Sequence, residues 1–167
     1  MPKLALEELA TPIGTVVVVS HSEALVAVDF EEYLPRMRKL LARAWAGIEF
    51  ESAERTSFGR VLADYFAGDL TAVDALPVET RGTEFQNTVW RELRRIPAGS
   101  TWTYAQLAAR VGRPKAVRAA GFANSLNPVA IVQPCHRVVG ANGSLTGYAG
   151  GLDRKAWLLR HEGARIA

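Results

Sequence analysis

Apolar positions change their period several times along the chain, and each change predicts an element. A β-branched run from Ile13 to Ser20 and a second run from Glu23 to Phe30 read as two strands of a hairpin, with His21-Ser22-Glu23 at the turn. Leu34, Met37, Leu41 and Trp45 recur at helical spacing, and Gly47-Ile48-Glu49-Phe50 follows as a short extended piece. Phe58, Val61, Leu62, Tyr65 and Phe66 form the stripe of a second helix, which Gly68 ends. From Asp69 to Gly82 the helical period is lost and Pro and Gly enter, so this stretch reads as the connection between two domains, 1–81 and 82–167.

The second half restarts sharply. Thr83-Glu84-Phe85-Gln86 has capping-box spacing, and Phe85, Val89, Leu93 and Ile96 make the inner face of a helix that Pro97 ends. Thr103-Tyr104-Ala105-Gln106 repeats the device for a short helix with Leu107 and Val111 inward and Gly112 at its close. Arg113-Pro114 leads into a helix from Lys115 to about Ser125. Two short helices joined by a tight glycine turn have the layout of a helix-turn-helix, which any α-hairpin shares. In the second of them Ala116, Ala119, Ala120, Gly121 and Ala123 are small, which either admits a close partner or simply favours helix and packing on Leu107. Asn127-Pro128 breaks the helix, Gly140 to Gly143 is a turn, and Gly147-Tyr148-Ala149-Gly150-Gly151 is a loop around one aromatic. Asp153 caps a last helix, Arg154 to Glu162, ended by Gly163.

Composition adds a compartment and a partner. Of 167 residues, 49% are hydrophobic, enough to bury a core without staples, and the single cysteine excludes an internal disulfide and fits a reducing compartment. Acidic residues at Glu7 and Glu8 interrupt what a signal peptide would need, and no run reaches membrane-spanning length, so a cytoplasmic protein is expected. The net charge of +3 hides an asymmetry. Residues 1–81 hold eight Lys/Arg against thirteen Asp/Glu, whereas residues 82–167 hold twelve against four. Between Glu84 and Asp153 the sole acid is Glu92, while Arg91, Arg94, Arg95, Arg110, Arg113, Lys115 and Arg118 crowd the same stretch. Such a surface points to a polyanion, nucleic acid foremost.

The candidate chemistry sits in Gln133-Pro134-Cys135-His136-Arg137. An imidazole that can take the thiol proton is a common way to activate cysteine, although a lone cysteine is also often a small buried hydrophobe. Cys135 is therefore a candidate nucleophile and His136 its candidate base.

The C-terminal half resembles the O6-alkylguanine-DNA alkyltransferases. The matching pieces are Thr83-Glu84-Phe85-Gln86 with Val89-Trp90, Ile96-Pro97-Ala98-Gly99, Tyr104 with Leu107-Ala108, Arg118-Ala119, Asn127-Pro128, Pro134-Cys135-His136-Arg137-Val138, Tyr148 with Gly150-Gly151, Lys155, and Leu158-Leu159 with Glu162-Gly163. The resemblance implies a mainly helical C-terminal domain with a helix-turn-helix and, from the order of strands and helices alone, an α/β ribonuclease-H-like N-terminal domain.

It further implies one alkyl transfer per molecule, from O6-alkylguanine and also O4-alkylthymine in duplex DNA to Cys135, by a monomer that needs no metal or organic cofactor. His136 would take the thiol proton through a water, with Glu162 behind it. Tyr104 would donate toward guanine N3, and Asn127 would brace the active-site turn. Tyr148, the amide of Ala149, the carbonyls of Cys135 and Val138, and Lys155 at the pocket edge would receive the base. Arg118 would fill the gap left in the duplex, with Thr103, Lys115, Ala119 and Gly121 also against DNA. Gln133, Phe122 and Ala149 depart from the family's usual residues, and with one cysteine the chain cannot make the zinc site some members carry. A sensor that binds alkylated bases without transfer, and a papain-like hydrolase, are the competing readings.

Overall fold

The structure, a computed structural model, describes residues 3–166. The chain divides into two compact units, one ending at Arg81 and the other beginning at Gly82. No helix of the described residues is long and apolar enough to cross a membrane.

The first unit is a mixed four-stranded sheet with two helices. Strands β1 (Lys3–Thr11), β2 (Gly14–Ser20), β3 (Leu25–Phe30) and β4 (Glu49–Ala53) lie in the order β3-β2-β1-β4. The first three pair antiparallel and β4 runs parallel to β1. Helix α1 (Leu34–Ala44) packs on β3, and α2 (Ser57–Phe66) on β1 and β2. Val16 to Val19 are all buried, because β2 is an inner strand with apolar cover for side chains on both faces. Val17 and Val19 meet Met37, Leu41 and Trp45.

One strand of this half has no sequence prediction behind it, and one expectation needs correction. β1 lies outside the predicted hairpin because one of its buried side chains is charged: Glu7 breaks the alternation that would announce a strand. The stretch from Asp69 to Gly82 is not a bare connection, since most of it lies on the first unit. It forms a 3-10 turn at Ala72–Ala75 with Val73 buried, and Leu25 N–H donates to Pro77 O at 2.9 Å while Glu79 N–H donates to Leu25 O at 2.8 Å.

The second unit holds α3 (Glu84–Leu93), β5 (Trp102–Thr103), α4 (Tyr104–Arg110), α5 (Val117–Ser125), β6 (Val138–Val139) and α6 (Leu152–His161). Both capping boxes form, at Thr83 with Gln86 and at Thr103 with Gln106. Their hydroxyls take an otherwise orphaned N–H at each helix start. Val89, Trp90, Leu93, Ile96, Leu107 and Ala108 form the core with Ala120, Ala123 and Val138. The Trp90 indole N–H donates to Ala123 O at 2.8 Å, which ties α3 to α5.

Several local expectations shift here too. α5 begins at Val117, so Lys115 sits in the preceding turn. Ala120 and Ala123 are core residues rather than part of a contact surface, while Arg118 and Ala119 are exposed. Asp153 lies inside the first turn of α6, whose N-cap is Gly151 at φ 98°, a backbone shape that favours glycine. The β5–β6 pair is parallel, two residues long, and has no signature in the periodicity.

Glu7 supplies a test of this packing. Its Oε1 accepts from Thr56 N–H at 2.8 Å and Thr56 Oγ1–H at 2.7 Å at the start of α2. A methyl group on Gly59 would fall 2.1 Å from Glu7 Oε2. We predict that Gly59→Ala lowers unfolding free energy by about 1–3 kcal/mol, the usual cost of overpacking, as read from the urea midpoint; unchanged stability would show that the carboxylate is free to move aside.

Candidate active site

The candidate nucleophile ends a turn that the chain holds under strain. Ile131, buried and β-branched, has φ 72°, a region such residues avoid. Asn127 overdetermines the turn. Its Nδ2 donates to Gln133 O at 2.7 Å and to Val129 O at 3.4 Å, and its Oδ1 accepts from Val129 N–H at 3.1 Å and Gln133 Nε2–H at 2.8 Å. Gln133 is thus a buried partner of Asn127, which accounts for a polar side chain behind the cysteine. Cys135 N–H donates to Gln133 O at 2.8 Å, and Cys135-His136-Arg137 then forms a single 3-10 turn with all three side chains buried.

Behind that turn lies a buried charge cluster. Arg137 Nε–H and Nη2–H donate to Glu162 Oε1 and Oε2, each at 2.8 Å, and its Nη1–H donates to Ile96 O at 2.6 Å. His136 Nε2 lies 2.9 Å from Glu162 Oε2. Burial pushes the Glu162 carboxyl up, but the Arg137 bonds and the His136 contact outweigh it and hold the carboxyl well below the usual carboxylate range. Burial pushes His136 down; Glu162 opposes this, while Arg137 and Lys155 add to it.

These directions fix the proton positions. An ionised carboxylate only accepts, so the hydrogen between the two groups belongs to His136 Nε2. A neutral imidazole protonated there carries its lone pair on Nδ1, which is buried and has no hydrogen-bond partner among the described residues. Cys135, at the start of the same turn, belongs to the core cluster with Tyr104 and Tyr148 packed against it. The sequence alone suggests no role for Arg137. Its buried position beside a conspicuous Cys-His pair gives no sequence signal beyond the tetrapeptide itself.

The remaining candidates form the surroundings. Thr103 is the N-cap of α4 and pairs with Val139, so Tyr104, the next residue, starts the helix from a fixed point. Tyr104 O–H donates to Thr146 O at 3.2 Å and reaches Gly147 O at 3.5 Å. Burial raises its pKa; the Thr146 bond opposes and the Cys135 charge reinforces that shift, so the phenol stays protonated and a donor. Lys155 is fully buried and donates to Val138 O at 2.5 Å and Thr146 O at 2.8 Å. Burial pulls it down to about 8, against the charge of Cys135. Tyr148 is half-buried and Ala149 exposed.

Helix α5 meets this site from the side. Asn124, buried, places Nδ2 3.5 Å from Cys135 O. Gly121 lies against the Tyr104 ring, where an added Cβ would stand 3.4 Å from Cδ1. Arg118, Ala119 and Lys115 are exposed and do not join the buried cluster. Among the described residues no group of three or more His, Cys, Asp or Glu could hold a metal ion.

Residues 84–164 match the family model described as 6-O-methylguanine DNA methyltransferase, DNA binding domain. A methylated-DNA–protein-cysteine methyltransferase of Salmonella typhimurium is 50% identical over 98% of both chains. One of Methanosarcina acetivorans is 45% identical over 92% of this chain and 95% of its own. Crystal structures of the Mycobacterium tuberculosis O6-methylguanine methyltransferase and of the OGT of that organism in complex with DNA are 35% and 34% identical, with TM-scores of 0.78 and 0.74. They cover 98% and 95% of this chain and are covered over 95% and 92% of their own. With this buried Cys-His-Glu arrangement and identity along the whole length, the chain belongs to the methylated-DNA–protein-cysteine methyltransferase family.

Proposed function

We propose that this protein repairs alkylated DNA by direct reversal, moving the alkyl group of O6-alkylguanine, and of O4-alkylthymine, onto Cys135 once per molecule. The observation that carries the reading is the bare Nδ1 of a neutral His136, held in that tautomer by a carboxylate that Arg137 keeps ionised. Displacement at a saturated carbon needs a soft, strong nucleophile and a stabilised leaving group. His136 Nδ1 takes the Cys135 proton through a water, the thiolate attacks the alkyl carbon, and the carbon–oxygen bond breaks as carbon–sulfur forms. The base leaves as neutral guanine because Tyr104 donates a proton to N3, and the imidazolium returns a proton to the phenolate through solvent. A thioether has no good leaving group, so the protein is not regenerated.

The base reaches Cys135 by leaving the stack, which costs a few kcal/mol and least for a weakly paired lesion. α4 and α5 act as a helix-turn-helix, with Thr103, Lys115, Ala119 and Gly121 against the duplex and Arg118 filling the gap. Asn127 braces the turn, and Tyr148, Ala149 N–H and the carbonyls of Cys135 and Val138 receive the guanine. Lys155 positions two of these parts, since it ties Val138 O to the loop carbonyl of Thr146 that Tyr104 also uses. The Val138 oxygen keeps a second lone pair for the base. The β3-β2-β1-β4 sheet order supports reading the first unit as a ribonuclease-H-like domain. A monomer in the reducing cytoplasm, where DNA is reachable and Cys135 stays a thiol, fits this chemistry.

Duplex DNA carrying one O6-methylguanine should add one methyl mass to Cys135, stoichiometrically, and Cys135→Ser should abolish it; release of product with repeated turnover would refute the proposal. Glu162→Gln can donate as well as accept, so it frees the His136 tautomer. Its transfer rate should fall at least tenfold and the pH profile of Cys135 alkylation should move; an unaltered profile would contradict the relay. Lys155 titrates near 8 in the fold against about 10.5 when unfolded, so the unfolded chain binds the extra proton between those values. Unfolding free energy of the wild type should therefore rise from pH 8 to 10.5 relative to Lys155→Met, as measured in urea. Parallel pH profiles would show that the amine is solvated.

A further inference from the structure

The exposed side of α5 carries one residue that neither the fold nor the proposed chemistry uses. Among the described residues Phe122 is 66% exposed, more than the other large exposed apolar residues, Leu152 at 48% and Leu40 at 36%. It stands four residues after Arg118, so both project from one side of the helix, while Ala120, Ala123 and Asn124 face the interior. The helical turn that bears it is anchored. Trp90 bonds Ala123 O, Asn124 reaches Cys135 O and Gly121 rests on Tyr104, so one turn of α5 is coupled to the nucleophile on one side and bears Phe122 on the other.

We propose that Phe122 is an apolar wedge that lies against the bases of the pair beside the extruded nucleotide, while Arg118 occupies the vacancy itself. This rests on the reading of the protein as a base-flipping alkyltransferase. The occupant is duplex DNA rather than another protein because the surroundings are cationic: Arg110, Arg113, Lys115 and Arg118 precede the ring, and no Asp or Glu occurs from residue 93 to 152. A phosphate backbone satisfies those charges, and base faces are the apolar surface that lies within reach of it. Apolar side chains that enter a base step relieve stacking and promote the kink that flipping requires. Such a contact is independent of counterion release, whereas the arginine contact is not.

The test measures binding to duplex with and without one O6-methylguanine over a salt series, with transfer to Cys135 from that duplex and from a free O6-alkylguanine base. Phe122→Ala should bind lesion duplex about tenfold more weakly, the order expected for losing burial of a phenyl ring, with the slope of log affinity against log salt unchanged. It should slow transfer from duplex and leave transfer from the free base as in wild type; Phe122→Trp should restore binding. Arg118→Ala, by contrast, should make the slope shallower. Wild-type binding by Phe122→Ala, or equal losses on duplex and free base, would overturn the wedge. Failure of the underlying reading has a different mark, absence of methyl gain on wild-type Cys135, and the binding arm still decides the wedge in that case.

Discussion

A single buried carboxylate organises the reactive half of this molecule. Glu162 could not stay ionised in the interior unaided, since burial favours its neutral form. Arg137 makes the difference with two parallel bonds at 2.8 Å and a third to Ile96 O, and so joins α6, the turn after α3 and the cysteine turn at one point. The carboxylate then dictates which nitrogen of His136 holds a proton. Fold and reactivity share this contact, and removal of either partner would leave an uncompensated buried charge, which typically costs 3–5 kcal/mol.

A second constraint acts on the backbone. The strained Ile131 and the four bonds of Asn127 set the path of the chain into Pro134-Cys135. Lys155 sets the path out of it, through Val138 O and the Thr146 loop. The nucleophile therefore sits between two pinned segments, neither of which requires a metal or a disulfide. α5 touches the same assembly through Asn124, whose Nδ2 lies 3.5 Å from Cys135 O, and through Gly121 against the Tyr104 ring.

Much of this was legible in the chain. The capping boxes at Thr83 and Thr103 formed as read, because N-capping is a local interaction between residues three apart. Helices with apolar stripes and the β2–β3 hairpin were legible for the same reason. β1 was not, because its inward Glu7 is explained by Thr56, forty-nine residues away, and by the neighbouring Arg55. The stretch through Leu76 to Glu79 looked like a linker because its pairing is with the backbone of Leu25, which leaves no side-chain pattern. At the site, Cys135 and His136 stood out by their adjacency, while Glu162 came from the family resemblance. The clamp of Arg137 and the Gln133–Asn127 bond are tertiary contacts without a periodic trace. The full burial of Lys155 has no sequence signal, since lysines rarely lie fully buried; two backbone carbonyls make that burial tolerable.

The most direct test of the account is the protonation state of His136, read by nitrogen-15 NMR of the imidazole in the intact, unreacted protein. A neutral ring protonated on Nε2 at neutral pH, with Nδ1 bare, is the expected result. A ring protonated on Nδ1, or an imidazolium, would contradict the account, because no lone pair would then be left at Nδ1 to take the proton of Cys135.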